Sequence, residues 1–277
     1  MADGAAPDGA RAVAIDVARD AGAVLRERLG RERDVQFKGT IDLVTDADRA
    51  AEALIAGRLR ETYPDHRLLG EEGARGSAEA EGQEGEASPY GWVIDPLDGT
   101  TNYAHGYPHF AVSIALERAG TLLLGVVYDP MRDELFVAER GQGASLNGVP
   151  LRVTGTDALI GSLLATGFPY DQAVRAEAAA IWNAFLFLTQ GVRRDGSAAL
   201  NLCYVAAGRL DGFYERPLQP WDMGAGALMV EEAGGRISDF RGGVFDPYGH
   251  EAVASNGALH ETILSVIHEQ ISGAAVG

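Results

Sequence analysis

The first part of the chain carries apolar residues at helical spacing. This spacing predicts an amphipathic helix that begins at Ala10 and ends at Gly30. Its apolar positions are Val13, Val17, Val24, Leu25 and Leu29. A second helix is predicted over residues 47–60, because an acidic stretch with Thr45 or Asp46 as N-cap leads into another periodic segment.

The pattern changes to strands from Phe110 onward. Four apolar runs follow, with the sequences AVSIALE, LLLGVVYD, ELFVAE and PLRV, and they are separated by turns such as GQGASLNG. Short runs rich in β-branched and aromatic residues, bounded by glycine and polar residues, are typical of strands. The sequence therefore predicts an antiparallel meander that ends at Val153.

Strands and helices are mixed in blocks in the rest of the chain. The predicted strands are SLLATG, GVRRD, GFYE and RISDF, and the predicted helices are AEAAAIWNAFLFLT, SAALNLCYVAAGRL, WDMGAGALMVEEAG and HETILSVIHEQI. This arrangement predicts an α+β fold in which helices lie between the sheets or flank them. The acidic, glycine-rich segment 73–89 is poor in apolar residues and the tail 1–9 consists mainly of small and polar residues, so we expect both to be flexible.

Composition narrows the class of protein. The 277 residues are 46% hydrophobic and 23% charged, which argues against wholesale disorder and against a membrane protein. The first residues are acidic and form no long apolar run, so we expect no export or mitochondrial signal and a cytoplasmic protein. The formal net charge of −17 argues against nucleic acid as a direct ligand, because phosphate backbones require a cationic surface. The single cysteine, Cys203, has no partner for an internal disulfide.

The stretch WVIDPLDGTT, residues 92–101, carries the first candidate chemistry. Its apolar start predicts a buried strand, which we expect Pro96 to end, so that Asp95 and Asp98 emerge at the strand end. Gly99 permits a tight turn, and the two threonines can open a helix whose first amides favour a phosphate. The segment therefore offers carboxylates to a cation and amides to an anion within a few residues.

Two other segments strengthen this interpretation. The run LLGEEGA ends a predicted strand at Glu71, and QPWDMGAG places Asp222 at a predicted helix start. Carboxylates gathered at element ends would repel one another, and a divalent cation would offset their charge. Magnesium prefers such oxygen ligands and commonly reaches phosphate through one or two carboxylates. The sequence therefore points to a metal-assisted phosphoryl site.

Five motifs resemble those of a known family. They are DLVTDAD (42–48), GEE (70–72), WVIDPLDGTTNY (92–103), GSAALNLCYVAAGRLDGFYE (196–215) and WDMGAGALMVEEAGG (221–235). With them the chain resembles the inositol monophosphatase family of Mg-dependent sugar and inositol phosphatases over nearly its whole length. The resemblance implies a layered α-β-α-β-α sandwich and a homodimer. It also implies a single domain over residues 10–277, with halves at about 10–153 and 154–277.

The resemblance also implies roles for individual residues. A first Mg²⁺ would be bound by Glu71, Asp95 and the Leu97 carbonyl. A second would be bound by Asp95, Asp98 and Asp222, and Glu71 would help to hold a third. Asp48 and Thr100 would orient and activate the attacking water, and the amides of Gly99 and Thr100 would receive the phosphate. The substrate alcohol would contact Asp98, Arg193, Ser197, Ala198 and Glu215. Lys38 matches a family lysine near the metal and phosphate.

The implied reaction is in-line hydrolysis of a phosphate monoester, with inositol 1-phosphate as the first choice of substrate. Histidinol phosphate, fructose 1,6-bisphosphate and nucleotide 3′-phosphates remain alternatives for the same chemistry. A phosphatase of the haloacid dehalogenase type is disfavoured, because its two aspartates are two residues apart whereas Asp95 and Asp98 are three apart. A regulatory role in binding transcription machinery also stays open, since a fold alone does not fix a function.

Overall fold

The structure, a computed structural model, describes residues 5–29, 35–37, 43–73, 88–169 and 171–274. The sequence predicts flexibility for the segment 73–89 and the tail 1–9, and of these, residues 74–87 and 1–4 lie outside the described part of the chain. Lys38 also lies outside it. The predicted flexibility of these segments therefore stays a prediction.

The described part of the chain contains seven α-helices, one short 3-10 helix (Leu159–Gly161) and fourteen strands. The helices are α1 (Ala10–Arg28), α2 (Asp46–Thr62), α3 (Thr100–Ala104), α4 (Gln172–Leu188), α5 (Ala198–Ala206), α6 (Pro220–Glu232) and α7 (His260–Ala274). The first nine strands are β1 (Val35–Phe37), β2 (Leu43–Thr45), β3 (Arg67–Gly70), β4 (Tyr90–Asp98), β5 (Ala111–Arg118), β6 (Thr121–Asp129), β7 (Glu134–Glu139), β8 (Gly143–Leu146) and β9 (Val149–Pro150). The others are β10 (Leu163–Thr166), β11 (Gly191–Arg193), β12 (Gly212–Glu215), β13 (Arg236–Ser238) and β14 (Ala252–Ser255). No described helix has both the length and the apolar character that a membrane crossing requires.

Five layers alternate between helices and sheets. A seven-stranded sheet has the order β3-β4-β5-β6-β7-β8-β9, and a five-stranded sheet has the order β11-β10-β12-β14-β13. Helices α1 and α2 pack on one face of the larger sheet, and α5 and α6 fill the space between the two sheets. Helices α4 and α7 cover the outer face of the smaller sheet. The predicted α+β class and the α-β-α-β-α layering are confirmed.

Strand β4 shows why this segment of the sequence is apolar without alternation. Trp92 and Ile94 point into the core beneath α1 and α2, whereas Val93 points into the core around α5 and α6. Successive side chains of a strand point to opposite faces. Because helices cover both faces of the sheet, both sets of side chains must be apolar.

The prediction that Pro96 ends this strand is wrong. Strand β4 continues to Asp98, and its register with β5 shifts between Asp95 and Asp98. Proline lacks an N–H donor, and a bulge is one of the places in a sheet where no ladder bond is lost. The irregularity lets the strand carry the motif without ending before it.

Two further expectations about strands require correction. The segment GQGASLNG contains β8 rather than a turn, and only Pro150 of the predicted strand PLRV belongs to a strand, β9. Strand β14 was not predicted from the sequence, although it lies between β12 and β13. The strand has only four residues, Ala252–Ser255, and all of them are buried, so its sequence shows no alternation of apolar and polar positions.

Gly125 in β6 tests the contact between the larger sheet and α6. A Cβ atom at this position would lie 2.6 Å from the Ala225 carbonyl oxygen and 3.0 Å from its Cα, so only backbone movement could relieve the clash. We expect Gly125→Ala to destabilise the fold by about 1–3 kcal/mol in urea unfolding. Gly57→Ala is the matched control, because this exposed helical glycine has nothing within 4 Å of the added atom. Equal unfolding midpoints for the two variants would contradict the packing described.

Candidate active site

Most of the predicted site residues meet around one cavity of about 520 Å³. It lies where the ends of β3, β4 and β12 approach the first turns of α3, α5 and α6. The predicted residues that line it are Glu71, Asp95, Leu97, Asp98, Gly99, Thr100, Ser197, Ala198, Glu215 and Asp222. These residues come from both halves of the chain, so only the tertiary fold brings them together.

Asp48 does not line the cavity but reaches it through Thr100. It lies in the first turn of α2, where its Oδ2 accepts the Thr45 backbone N–H at 2.9 Å and also contacts the Thr45 hydroxyl. The Thr100 hydroxyl lies 3.0 Å from Asp48 Oδ1 and 3.0 Å from the Leu97 carbonyl oxygen, so its one proton has two possible acceptors. Burial raises the pKa of Asp48, and the hydrogen bonds from Thr45 and Thr100 oppose that rise.

Asp95 is held by the turn that follows it. The backbone N–H of Leu97 donates to Asp95 Oδ1 at 2.9 Å, across Pro96. This contact turns the Leu97 carbonyl toward Thr100, whose hydroxyl lies within hydrogen-bond distance of it. The carboxylate and the carbonyl that the resemblance assigns to one metal ion therefore belong to one short hydrogen-bonded turn.

Gly99 has no room for a side chain. Its φ of +100° lies in the left-handed region, and a Cβ would come within 3.1 Å of the His109 carbonyl oxygen and 3.2 Å of the Gly196 carbonyl oxygen. The segment that leads into α5 therefore packs directly against the start of α3. The prediction of a tight turn at Gly99 followed by a helix at Thr100 is confirmed.

Asp98 interacts with the N-terminus of α5 rather than with its own segment. The Ser197 hydroxyl donates to Asp98 Oδ2 at 2.5 Å, and the Ala199 N–H donates to the same oxygen at 2.8 Å. The Ala198 N–H donates to Oδ1 at 3.2 Å. The first amides of a helix lack intrahelical acceptors and favour negative charge, so α5 stabilises this buried carboxylate.

The carboxylates around the cavity raise one another's pKa values. Burial is the largest cause at Asp95, and Glu71, Asp98 and Asp222 add to it. Burial also raises the pKa of Asp222, and the nearby charge of Asp98 raises it further. Burial raises the pKa of Asp98 to about 6. Glu215 reaches a pKa of about 7 through burial, which Arg194 opposes and Asp98 reinforces. Together these shifts indicate that the site gathers negative charge for which the surrounding hydrogen-bond donors compensate only in part.

The donor set is suited to a hard divalent cation. Carboxylate and carbonyl oxygens are the ligands that Mg²⁺ prefers, and an ion would offset the mutual repulsion of the acids. The described part of the chain holds no group of three or more His, Cys, Asp or Glu side chains that forms a ready-made metal-binding cluster. The predicted ligands therefore share a cavity, but their side chains do not form a closed coordination shell.

Arg193 is not among the residues that line the cavity, whereas its neighbour Arg194 is. Side chains alternate along an extended strand, and the Arg193 guanidinium lies beside Gly191, two residues back in β11. The expectation that Arg193 contacts the substrate is therefore not supported by its position. The alternation indicates that the two arginines face opposite sides, but only the tertiary structure identifies Arg194 as the one at the cavity.

Asn102 is a second residue to which the sequence assigned no role. Its side-chain Nδ2 donates to the carbonyl oxygens of His109 and Asp195, each at 2.7 Å. Asp195 immediately precedes Gly196 and the first turn of α5, so Asn102 ties α3 to the segment that carries Arg194. Its position in the motif WVIDPLDGTTNY was the available signal, but its partners are distant in sequence.

Comparisons with known proteins agree with this architecture. A model described as the inositol monophosphatase family matches residues 7–272. The chain is 48% identical over 265 residues to a protein of Pseudomonas aeruginosa named Nus factor SuhB, covering 94% of this chain and 96% of that protein.

Solved structures show the same similarity. The extragenic suppressor protein suhB of Bartonella henselae is 40% identical with a TM-score of 0.86, covering 92% of this chain and 97% of that one. An inositol monophosphatase of Anabaena (Nostoc) is 40% identical with a TM-score of 0.82, covering 94% of this chain and 95% of that one.

The raised pKa values predict how stability depends on pH in chelator-treated protein. Folding raises the pKa of Asp98 from 3.8 to about 6 and that of Glu215 from 4.5 to about 7, so the folded state binds protons that the unfolded state has lost. The free energy of unfolding should therefore fall as pH rises from about 4 to about 7. Thermal melts across this range should show the decline, and added Mg²⁺ should oppose it.

Asp98→Asn should flatten this pH dependence, because it removes one of the groups with a raised pKa. Asp16→Asn is the matched control, since Asp16 is an exposed residue of α1 far along the chain from the cavity. Stability that rises with pH over the same range in the chelator-treated wild type would show that the carboxylates are not buried together as described.

Proposed function

Because the chain belongs to the inositol monophosphatase family, we propose that it is a magnesium-dependent phosphate monoester hydrolase whose substrate is inositol 1-phosphate. The family acts on phosphate esters and generally uses Mg²⁺. The observation that carries the proposal is the convergence of Glu71, Asp95, Asp98 and Asp222 on one cavity, beside the hydrogen-bonded pair of Asp48 and Thr100.

The residues around the cavity fit two to three Mg²⁺ ions. Glu71, Asp95 and the Leu97 carbonyl would hold the first, and Asp98 and Asp222 would join Asp95 at the second. Glu71 would also help to hold a third. When bound, the ions supply positive charge that lowers the pKa of a nearby water and stabilises the phosphate oxygens. The raised pKa values of Asp95 and Asp222 support this assignment, because they reflect charge that a cation would offset.

Asp48 and Thr100 would orient the attacking water. The Thr100 hydroxyl donates toward Asp48 or Leu97, which leaves the hydroxyl oxygen free to accept a hydrogen bond from a water in the cavity. As the water attacks phosphorus in line with the departing alcohol, the bond between phosphorus and the alcohol oxygen breaks. Asp48 can take up the proton of the water through the threonine, and the departing oxygen gains a proton from solvent. No covalent intermediate with the protein is required.

The two ends of the substrate would meet different parts of the cavity. The amides of Gly99 and Thr100 lie at the start of α3 and would receive phosphate oxygens. Asp98, Ser197, Ala198 and Glu215 lie toward α5 and β12 and would contact the hydroxyls of the alcohol. A polyol suits these groups, because carboxylates accept hydrogen bonds from hydroxyls. The name of the Anabaena structure supports inositol phosphate as the substrate.

Phosphate release from a panel of esters tests the activity and the substrate together. We expect hydrolysis of inositol 1-phosphate with Mg²⁺ and none after chelation, because the proposed reaction requires the cation. Histidinol phosphate, fructose 1,6-bisphosphate and a nucleotide 3′-phosphate should react more slowly. If one of them were turned over a hundredfold faster, the substrate assignment would be wrong and the chemistry would survive. Activity unaffected by chelation would contradict the chemistry itself.

Asp48→Asn tests the proton acceptor. The asparagine can keep the hydrogen bond from Thr100 but cannot take up a proton, so we expect kcat to fall by about 10²–10⁴. Thr100→Ser should retain most activity because it keeps the hydroxyl, whereas Thr100→Ala should not. The exposed Asp16→Asn variant is the control for an ordinary loss of one carboxylate. Full activity in Asp48→Asn would remove Asp48 from the mechanism.

A regulatory role is a second candidate function. Several relatives, including the protein of Pseudomonas aeruginosa, are named Nus factor SuhB, which suggests an interaction with the transcription machinery. These names run in part against the expectation, drawn from net charge, that nucleic acid is not a direct ligand of the chain. Capture of the transcription machinery from a bacterial lysate, by wild type and by Asp98→Asn equally, would show a partner role that is independent of catalysis.

We also propose that the protein is a cytoplasmic homodimer. The bacterial relatives named Nus factor support the first part, because transcription in bacteria takes place in the cytoplasm, and the resemblance to the family supports the second. Light scattering of the purified chain measures the mass directly, and a monomer at micromolar concentration would contradict the proposed dimer.

A further inference from the structure

The hydrogen bonds of Asp98 divide its two carboxylate oxygens unequally. Oδ2 accepts two donors, the Ser197 hydroxyl at 2.5 Å and the Ala199 N–H at 2.8 Å. Oδ1 accepts one longer bond, from the Ala198 N–H at 3.2 Å. A carboxylate has about four lone-pair positions, two on each oxygen. The free acceptor capacity of Asp98 therefore lies on Oδ1.

Ser197 is itself fixed from both sides. Its hydroxyl donates to Asp98 and accepts the Leu200 N–H at 3.3 Å, as the N-cap of α5. The serine is buried, with 1% of its surface exposed. Because both hydrogen bonds lie within a packed interior, the hydroxyl has little freedom to release Oδ2. By contrast, Asp95 and Asp222 each accept one backbone N–H among the hydrogen bonds of the described residues, from Leu97 and Gln219.

We propose that Ser197 is a positioning residue that restricts Asp98 to binding a divalent cation through one oxygen, Oδ1, and that this restriction favours Mg²⁺ over Ca²⁺. The inference rests on the proposed function, in which Asp98 is a metal ligand. Ser197 then acts on the cation through Asp98, in addition to the substrate contact that the resemblance implies.

The selectivity follows from the different needs of the two ions. Mg²⁺ requires near-ideal octahedral geometry with short bonds, whereas Ca²⁺ accepts six to eight oxygens and often takes a carboxylate through both of its oxygens. A carboxylate whose Oδ2 already accepts two hydrogen bonds cannot offer both oxygens without losing them. Removing the serine hydroxyl would free Oδ2 in part and would let Asp98 turn, which suits the larger ion.

Calorimetric titration of the chelator-treated full chain, with Mg²⁺ and separately with Ca²⁺, tests this role without relying on activity. Ser197→Ala should weaken Mg²⁺ binding about tenfold or more, the usual cost of losing a residue that orients a metal ligand. Ca²⁺ binding should weaken less, so that the ratio of the two affinities narrows. Ser197→Thr keeps the hydroxyl and should restore the wild-type ratio.

Two further variants guard against a purely structural effect. Ser197→Gly also lacks the hydroxyl but costs little at an N-cap, so it replaces Ser197→Ala if loss of the cap unfolds that variant. Ser238, in β13, carries another buried hydroxyl, which is hydrogen-bonded to the Asp239 carbonyl oxygen and to the His260 ring. Ser238→Ala should leave the affinities for Mg²⁺ and Ca²⁺ unchanged.

The outcomes separate the inference from the proposed function. If Ser197→Ala and Ser197→Gly bind both ions as the wild type does, or lose both equally, the positioning role is wrong while magnesium-dependent hydrolysis stands. If the wild type binds no Mg²⁺ and releases phosphate without it, the proposed function fails and this inference fails with it.

Discussion

The rest of the structure depends on the burial of carboxylates beside one another. Asp48, Asp95 and Asp98 are almost inaccessible to solvent, and Glu71, Glu215 and Asp222 lie close enough to the cavity to share it. Burying negative charge is unfavourable unless donors or cations compensate it. The fold supplies part of that compensation from helix N-termini. Asp48 and Asp222 lie in the first turns of α2 and α6, and Asp98 accepts amides from the start of α5.

This use of helix N-termini explains why the middle layer matters. Helices α5 and α6 lie between the two sheets, and their first turns point at the end of β4 in the other half of the chain. Gly99 permits the approach, because any side chain there would collide with the backbone before α5. The cavity is therefore a property of the packed layers rather than of one motif, and the two halves form one functional unit.

The sequence predicted those parts of the fold and site that depend on local physics. Helix α1 follows from its apolar spacing, the cap of α2 from Thr45, and the turn at Gly99 from the residue itself. The features it missed depend on partners that are distant in the chain. Strand β4 passes Pro96 because a bulge accommodates it, and the bond between Asp98 and Ser197 joins residues 99 positions apart. Neither the bulge at Pro96 nor the hydrogen bond between Asp98 and Ser197 can be identified from one segment of the sequence alone.

The partial compensation of charge also offers a way to separate two possible roles of the chain, catalysis and the binding of another protein. An asparagine at position 98 keeps one acceptor oxygen for the donors at the start of α5, so α5 retains part of its contact when the charge of Asp98 is removed. A divalent cation, however, is attracted more strongly by a charged carboxylate than by a neutral amide oxygen. Under the proposed function, substitution by asparagine should therefore weaken ion binding and lower activity while the layered frame stays in place. A surface that binds another protein would depend only on that frame. The Asp98→Asn variant can therefore distinguish a catalytic role of this chain from a protein-binding role.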